Sequence, residues 1–119
     1  MTPDATATAY LAAWNETDAA ARRQLIAEAW TADATYVDPM GAAESPAALD
    51  ATIAAVQDRF PGFRFSLLGD ADGHGPNVRF TWGLGPADQE PPIVGTDFIR
   101  LRDGRIAEVT GFLDRVPSA

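Results

Sequence analysis

Cysteine is absent from the 119 residues and histidine occurs once. The first absence excludes disulfides, thiolate nucleophiles and cysteine-based zinc sites, and suits a reducing compartment. The second leaves too few imidazoles for a histidine metal site, so neither metal nor cofactor is expected. Basic residues are also scarce. Nine Lys and Arg against 17 Asp and Glu give a net charge of −8, which opposes contact with phosphate backbones and anionic lipid, so nucleic acid and membrane are not expected partners. No apolar run approaches the roughly 20 residues of a membrane span, and the N-terminus has no basic segment leading into an apolar stretch. The expectation is a cytoplasmic protein whose partner is a small neutral or cationic molecule or another protein.

The length fits one domain, residues 1–119, able to bury roughly two-thirds of the surface of its unfolded chain. Thr2-Pro3-Asp4 combines an N-cap hydroxyl, a first-turn proline and an acid at the positive end of the dipole, so a helix starts there and runs to about Asn15. Ala7, Tyr10, Leu11 and Trp14 form its apolar stripe, which turns the Tyr10 ring inward. Thr17-Asp18 caps a second helix through about Trp30, with Arg22 and Arg23 on its wet side, and Thr31 to Ala34 connects it to the next strand. Ser45-Pro46 starts a third helix, with Leu49, Ile53, Val56 and Phe60 as its stripe and Pro61-Gly62 as its stop.

From Phe63 the period changes to two. Phe63, Phe65 and Leu67 share one face. After a turn from Gly69 to Pro76 that includes His74, Val78, Phe80, Trp82 and Leu84 share another. A proline-rich loop leads to a strand from Ile93 to Leu101, and Asp103-Gly104 closes a hairpin onto Ile106 to Asp114. Three helices therefore precede almost all of the sheet, an α+β arrangement.

Two carboxylates stand out. Asp38 ends the strand Thr35-Tyr36-Val37, and Pro39 restricts it to extended backbone, so its side chain is aimed by a stiff segment. It is either a turn-starting Asp or a general base, and Tyr36 lies on its face of the strand. Asp97 sits in the row Ile93, Gly95, Asp97, Ile99, Leu101. With Asp103-Gly104 as the hairpin loop it pairs with Thr110 and has Phe112 on its face. If that row is the inner one, burial raises its pKa and favours the neutral acid. Val94, Phe98, Val109 and Leu113 give the opposite face an apolar row of its own, so a second copy is expected to cover one side of the sheet.

The order of elements, together with Ala9-Tyr10-Leu11-Ala12-Ala13-Trp14-Asn15, Ala34-Thr35-Tyr36-Val37-Asp38-Pro39-Met40-Gly41 and Asp103-Gly104-Arg105-Ile106, resembles the NTF2-like superfamily, in particular its SnoaL-like and ketosteroid-isomerase-like branch. The resemblance implies a cone of three N-terminal helices packed on a curved antiparallel sheet, and a homodimer. It places Asp38 where the isomerase has its general base, Tyr10 where it has its oxyanion-hole tyrosine, and Asp97 where it has its protonated Asp, the known example of a carboxylic acid kept neutral beside a tyrosine. Trp14, Tyr36 and Phe112 are then expected to line the substrate site. The implied activity is cofactor-free proton transfer beside a carbonyl. The same family also contains members that only bind or dimerise. A pocket of a few hundred Å³ holding Tyr10, Asp38 and Asp97 is expected between the first helix, the third helix and the sheet.

Overall fold

A computed structural model describes residues 2–117. Helix α1, Pro3–Asn15, is capped by the Thr2 hydroxyl, which accepts from the Ala5 N–H at 3.1 Å. Asp18 caps α2, Ala19–Ala29, and Ser45 caps α3, Pro46–Arg59, in the same manner. The strands are β1 (Trp30–Asp38), β2 (Gly41–Ala43), β3 (Arg64–His74), β4 (Asn77–Gly85), β5 (Ile93–Arg102) and β6 (Arg105–Arg115). They form one curved, open six-stranded sheet in the order β2-β1-β6-β5-β4-β3. The expected antiparallel sheet is mixed in one place, because β1 joins β6 in parallel.

The expected linker from Thr31 to Ala34 is strand instead, since β1 leaves α2 directly at Trp30. Strand β3 likewise runs through most of the turn expected from Gly69 to Pro76. Gly69, at φ +73°, absorbs an irregularity between Leu68 and Asp72, after which pairing resumes. The turn shrinks to Gly75-Pro76, and His74 pairs with Asn77 at the end of β3.

A second irregularity governs the site. Leu101 pairs with Ile106, as the Asp-Gly hairpin requires, but Arg100 pairs with Glu108, which leaves Ala107 as an extra residue. From Arg100 back to Gly95 the pairs move by one, so Asp97 lies opposite Gly111 rather than Thr110. Because side chains alternate across a strand, that single step turns Val109, Gly111 and Leu113 inward and Thr110 and Phe112 outward.

The inner sheet face and α1 enclose an aromatic core in which Tyr10 meets Trp14, Trp30 and Phe80, while Trp14 meets Tyr36 and Phe65. Asn15 fixes the end of α1 to β3. Its amide donates to the Phe65 carbonyl at 2.9 Å and its carbonyl accepts from the Phe65 N–H at 2.7 Å. Arg22 is buried, contrary to the wet-side expectation. Its guanidinium bonds Asp50 of α3 at 2.6 Å, Gln57 and the Glu16 carbonyl, so it cements α2 to α3, while Arg23 remains exposed.

Candidate active site

Tyr10 and Asp97 meet from opposite layers. The Tyr10 hydroxyl, on α1, donates to Asp97 Oδ2, on β5, at 2.5 Å, and both residues are 2% exposed. Asp97 therefore faces inward, the orientation in which burial was expected to raise its pKa. Burial raises its pKa to about 6, against the pull of hydrogen bonds from Tyr10 and Trp82, and Asp38 and Asp114 add to the rise. Burial and the Asp97 charge also push Tyr10 well above its ordinary value, so it keeps its proton and acts as a donor. Trp82 reaches Asp97 because its strand neighbour is Gly95, where a Cβ would come within 2.2 Å of the indole.

Asp38 closes β1, half-buried, and both readings of its context hold. Its Oδ1 accepts from the Met40 N–H at 2.7 Å and the Gly41 N–H at 3.1 Å, which makes the turn. Its Oδ2 accepts from the Tyr36 hydroxyl at 2.5 Å. The Tyr36 ring is buried against Trp14, and its pKa is raised by burial, by the bond to Asp38 and by the charges of Asp97 and Asp38.

Gly111 lies between the two acidic side chains. It lies on β6 between β5 and β1, and a Cβ placed there would stand 2.8 Å from Asp97 Oδ1 and 3.3 Å from Asp38 Cβ. Both side chains thus flank one bare stretch of backbone, Asp97 with its carboxylate and Asp38 with its Cβ. Tyr10, Asp38, Asp97, Trp14 and Tyr36 share a side of the sheet. Phe112 does not; it is 52% exposed on the outer face, edge-on to Phe98, because the extra residue at Ala107 reverses its orientation. Gly111 and Trp82 escaped the sequence reading. The signal for Gly111 was the spacing of Ile106 from Val109, an odd interval between two apolar positions that a regular strand would not place on one face.

Two cavities lie elsewhere in the molecule. Between α1, α3 and the β3–β4 side of the sheet lies a cavity of about 50 Å³, lined in part by Trp14, Phe60, Phe65 and Leu84, and Tyr10, Asp38 and Asp97 are not among its walls. A larger, open depression of about 470 Å³ lies at the far end of the sheet, against Asp72, His74, Arg79 and Phe98, and contains none of the site residues. Among the described residues no group of His, Cys, Asp and Glu is arranged to hold a metal.

Residues 7–109 match the SnoaL-like domain. The chain belongs to the SnoaL-like family. A proposed isomerase of this family from Agrobacterium tumefaciens str. C58 is 45% identical, with 96% of this chain and 99% of that one covered and a TM-score of 0.90. Two more distant structures share the fold: IdmH, a proposed polyketide cyclase from Streptomyces antibioticus (19% identity, 96% and 93% covered, TM-score 0.73), and a proposed ketosteroid isomerase from Kribbella flavida DSM 17836 (19%, 98% and 81%, 0.71). No curated protein matches this SnoaL-like chain.

Proposed function

We propose that this SnoaL-like protein is a cofactor-free enzyme of isomerase or cyclase type that moves a proton next to a carbonyl of a hydrophobic small molecule. The observation that carries this reading is the placement of Asp97, bonded to Tyr10, and of Asp38 on the same side of the sheet beside Gly111. Acid–base chemistry needs two groups of one kind held in different protonation states by different surroundings. Asp38, half-buried beside a turn, takes the proton from the carbon next to the carbonyl. Asp97 in its neutral form and Tyr10 donate to the oxygen on which negative charge develops, and donors already in place typically contribute about 3 kcal/mol each to lowering the barrier. Protonating Asp97 also frees Tyr10, since the carboxyl then has a proton of its own and the phenol is no longer committed to a carboxylate.

The small interior cavity favours a second reading, a module of the same family that binds or dimerises without catalysis. We place the protein in the cytoplasm as a homodimer; no helix among the described residues is long and apolar enough to cross a membrane. Titrating the purified protein with steroid-like and polyketide-like enones, while following exchange of the proton beside the carbonyl into deuterated water, separates the two. Saturable binding with exchange supports the enzyme, binding without exchange supports the module, and the absence of both rejects each as a small-molecule function.

A further inference from the structure

Tyr36 and Asp38 repeat within β1 the contact that Tyr10 and Asp97 make across the interior. In each pair a buried phenol donates to a carboxylate Oδ2 at 2.5 Å. The difference lies in what else holds the acid. A carboxylate offers four lone pairs, two on each oxygen. Those of Asp38 Oδ1 are taken by the Met40 N–H at 2.7 Å and the Gly41 N–H at 3.1 Å, and one of those on Oδ2 is taken by Tyr36. A single acceptor position is left, on Oδ2. The carboxylate cannot turn about its Cβ–Cγ bond without breaking these contacts, because the turn grips one oxygen and Tyr36 the other. Nor is the phenol free to follow, since its ring is 7% exposed and packs on Trp14 with centroids 5.5 Å apart.

We propose that Tyr36 is the positioning residue of the base: it holds Asp38 in one orientation, leaves one lone pair of Oδ2 to take the substrate proton, and sets the pH above which that oxygen is free to do so. This rests on the proton-transfer reading above and adds a residue to it. In the step itself the C–H bond next to the carbonyl breaks, its proton goes to Oδ2 and its electron pair passes into the enolate. Once Oδ2 is protonated, Tyr36 no longer donates to an anion, and a bond to a charged partner is the stronger kind. The contact that stabilises the ionised base therefore also favours return of the proton to carbon. Tyr36 keeps its own proton throughout, because burial and the bond to Asp38 both oppose its loss. The titratable groups that act on this pair from other elements are Tyr10 of α1 and Asp97 of β5. β6 brings Gly111 to it, β2 has no titratable side chain, and α3 turns Leu49 and Ile53 inward.

The test compares the native protein with Tyr36→Phe, which keeps the ring and loses the donor. Two quantities are followed against pH: the carbon NMR signal of the Asp38 carboxyl, assigned by its loss in Asp38→Asn, and exchange of the proton beside the carbonyl of 2-tetralone above its spontaneous rate. Tyr36→Phe is expected to raise the Asp38 midpoint by about one pH unit and to move the acid limb of the exchange profile up by the same amount. The highest rate should fall about tenfold with affinity for 2-tetralone little changed. A slower rate with either movement missing shows a ring that only packs, and it overturns the proposal while native exchange keeps the proton-transfer reading. A native protein that exchanges nothing at any pH overturns both. Should Tyr36→Phe not fold, the native chain decides, since it has only two tyrosines. Labelled at Cζ, the Tyr36 signal is expected to move with the Asp38 midpoint, and a signal that ignores it overturns the proposal.

Discussion

A carboxyl that titrates at about 6 inside the core makes folding sensitive to pH at one residue. The folded state of Asp97 holds its proton more tightly than the unfolded chain does. Between about pH 4 and pH 6 the native protein therefore binds a proton that the unfolded chain has lost, and stability contributed by Asp97 falls as pH rises through that window. The full difference is about 3 kcal/mol, present below the unfolded value and lost above the folded one. Asp97→Asn has no proton to lose. Its unfolding free energy relative to the native protein should rise by about 3 kcal/mol from pH 4 to pH 7.5, measured by urea denaturation at each pH; a constant difference would mean that Asp97 titrates as an ordinary carboxyl. Gly111 is the other residue on which the site turns. Gly111→Ala puts a methyl group against Asp97 Oδ1 and Asp38, so it should cost about 2 kcal/mol and separate Asp97 from Tyr10, visible as an altered Asp97 titration in carbon NMR.

At the scale of elements, local rules made most of the fold legible. Thr2-Pro3, Asp18 and Ser45-Pro46 start their helices because each supplies an oxygen to an unpaired N–H, and this depends on nothing distant. The row of alternating residues around Asp97 showed that the carboxylate shares a face with Ile93, Ile99 and Leu101, but an apolar row on the opposite face left open which of the two is the inner one, and the structure puts Asp97 inside. What failed was the pairing across strands. The extra residue at Ala107 shifts β6 by one against β5, which exchanged the expected places of Phe112 and Gly111 and sent Val109 and Leu113 inward. Periodicity assigns faces within a strand but does not reveal where a partner gains a residue. Arg22 was misplaced for a related reason, since only the arrival of α3 brings Asp50 and Gln57 to it. Because Arg22 is buried, Arg22→Ala should cost about 3 kcal/mol by leaving Asp50 short of its partner. Arg23→Ala, at an exposed pair with the same Asp50, should cost less than about 1 kcal/mol, and thermal unfolding of the two variants distinguishes them.

For the whole molecule, the outer sheet face is the surface that bears on assembly. The apolar face expected there contains Val37, Phe98 and Phe112, each more than two-fifths exposed, with Val94 half-buried, whereas Val109 and Leu113 belong to the core. We propose that a second copy covers this face by a symmetric contact. Phe98→Glu should then convert a dimer seen by sedimentation at micromolar concentration to a monomer of unchanged fold; a native protein that is already monomeric there would reject the proposal. The site faces the other side of the sheet, so assembly of this kind leaves the carboxylates free. The pair of carboxylates is tested most directly by the rate at which the proton beside the carbonyl of a bound enone exchanges, compared across pH for the native protein, Asp38→Asn, Asp97→Asn and Asp97→Ala. Asp38→Asn should abolish exchange at every pH. Asp97→Ala should slow it about a hundredfold, Asp97→Asn much less because its amide still donates, and the native rate should decline above about pH 6 while that of Asp97→Asn does not. Equal, small losses in all three variants, with no change in the pH profile, would contradict a division of labour between Asp38 and Asp97.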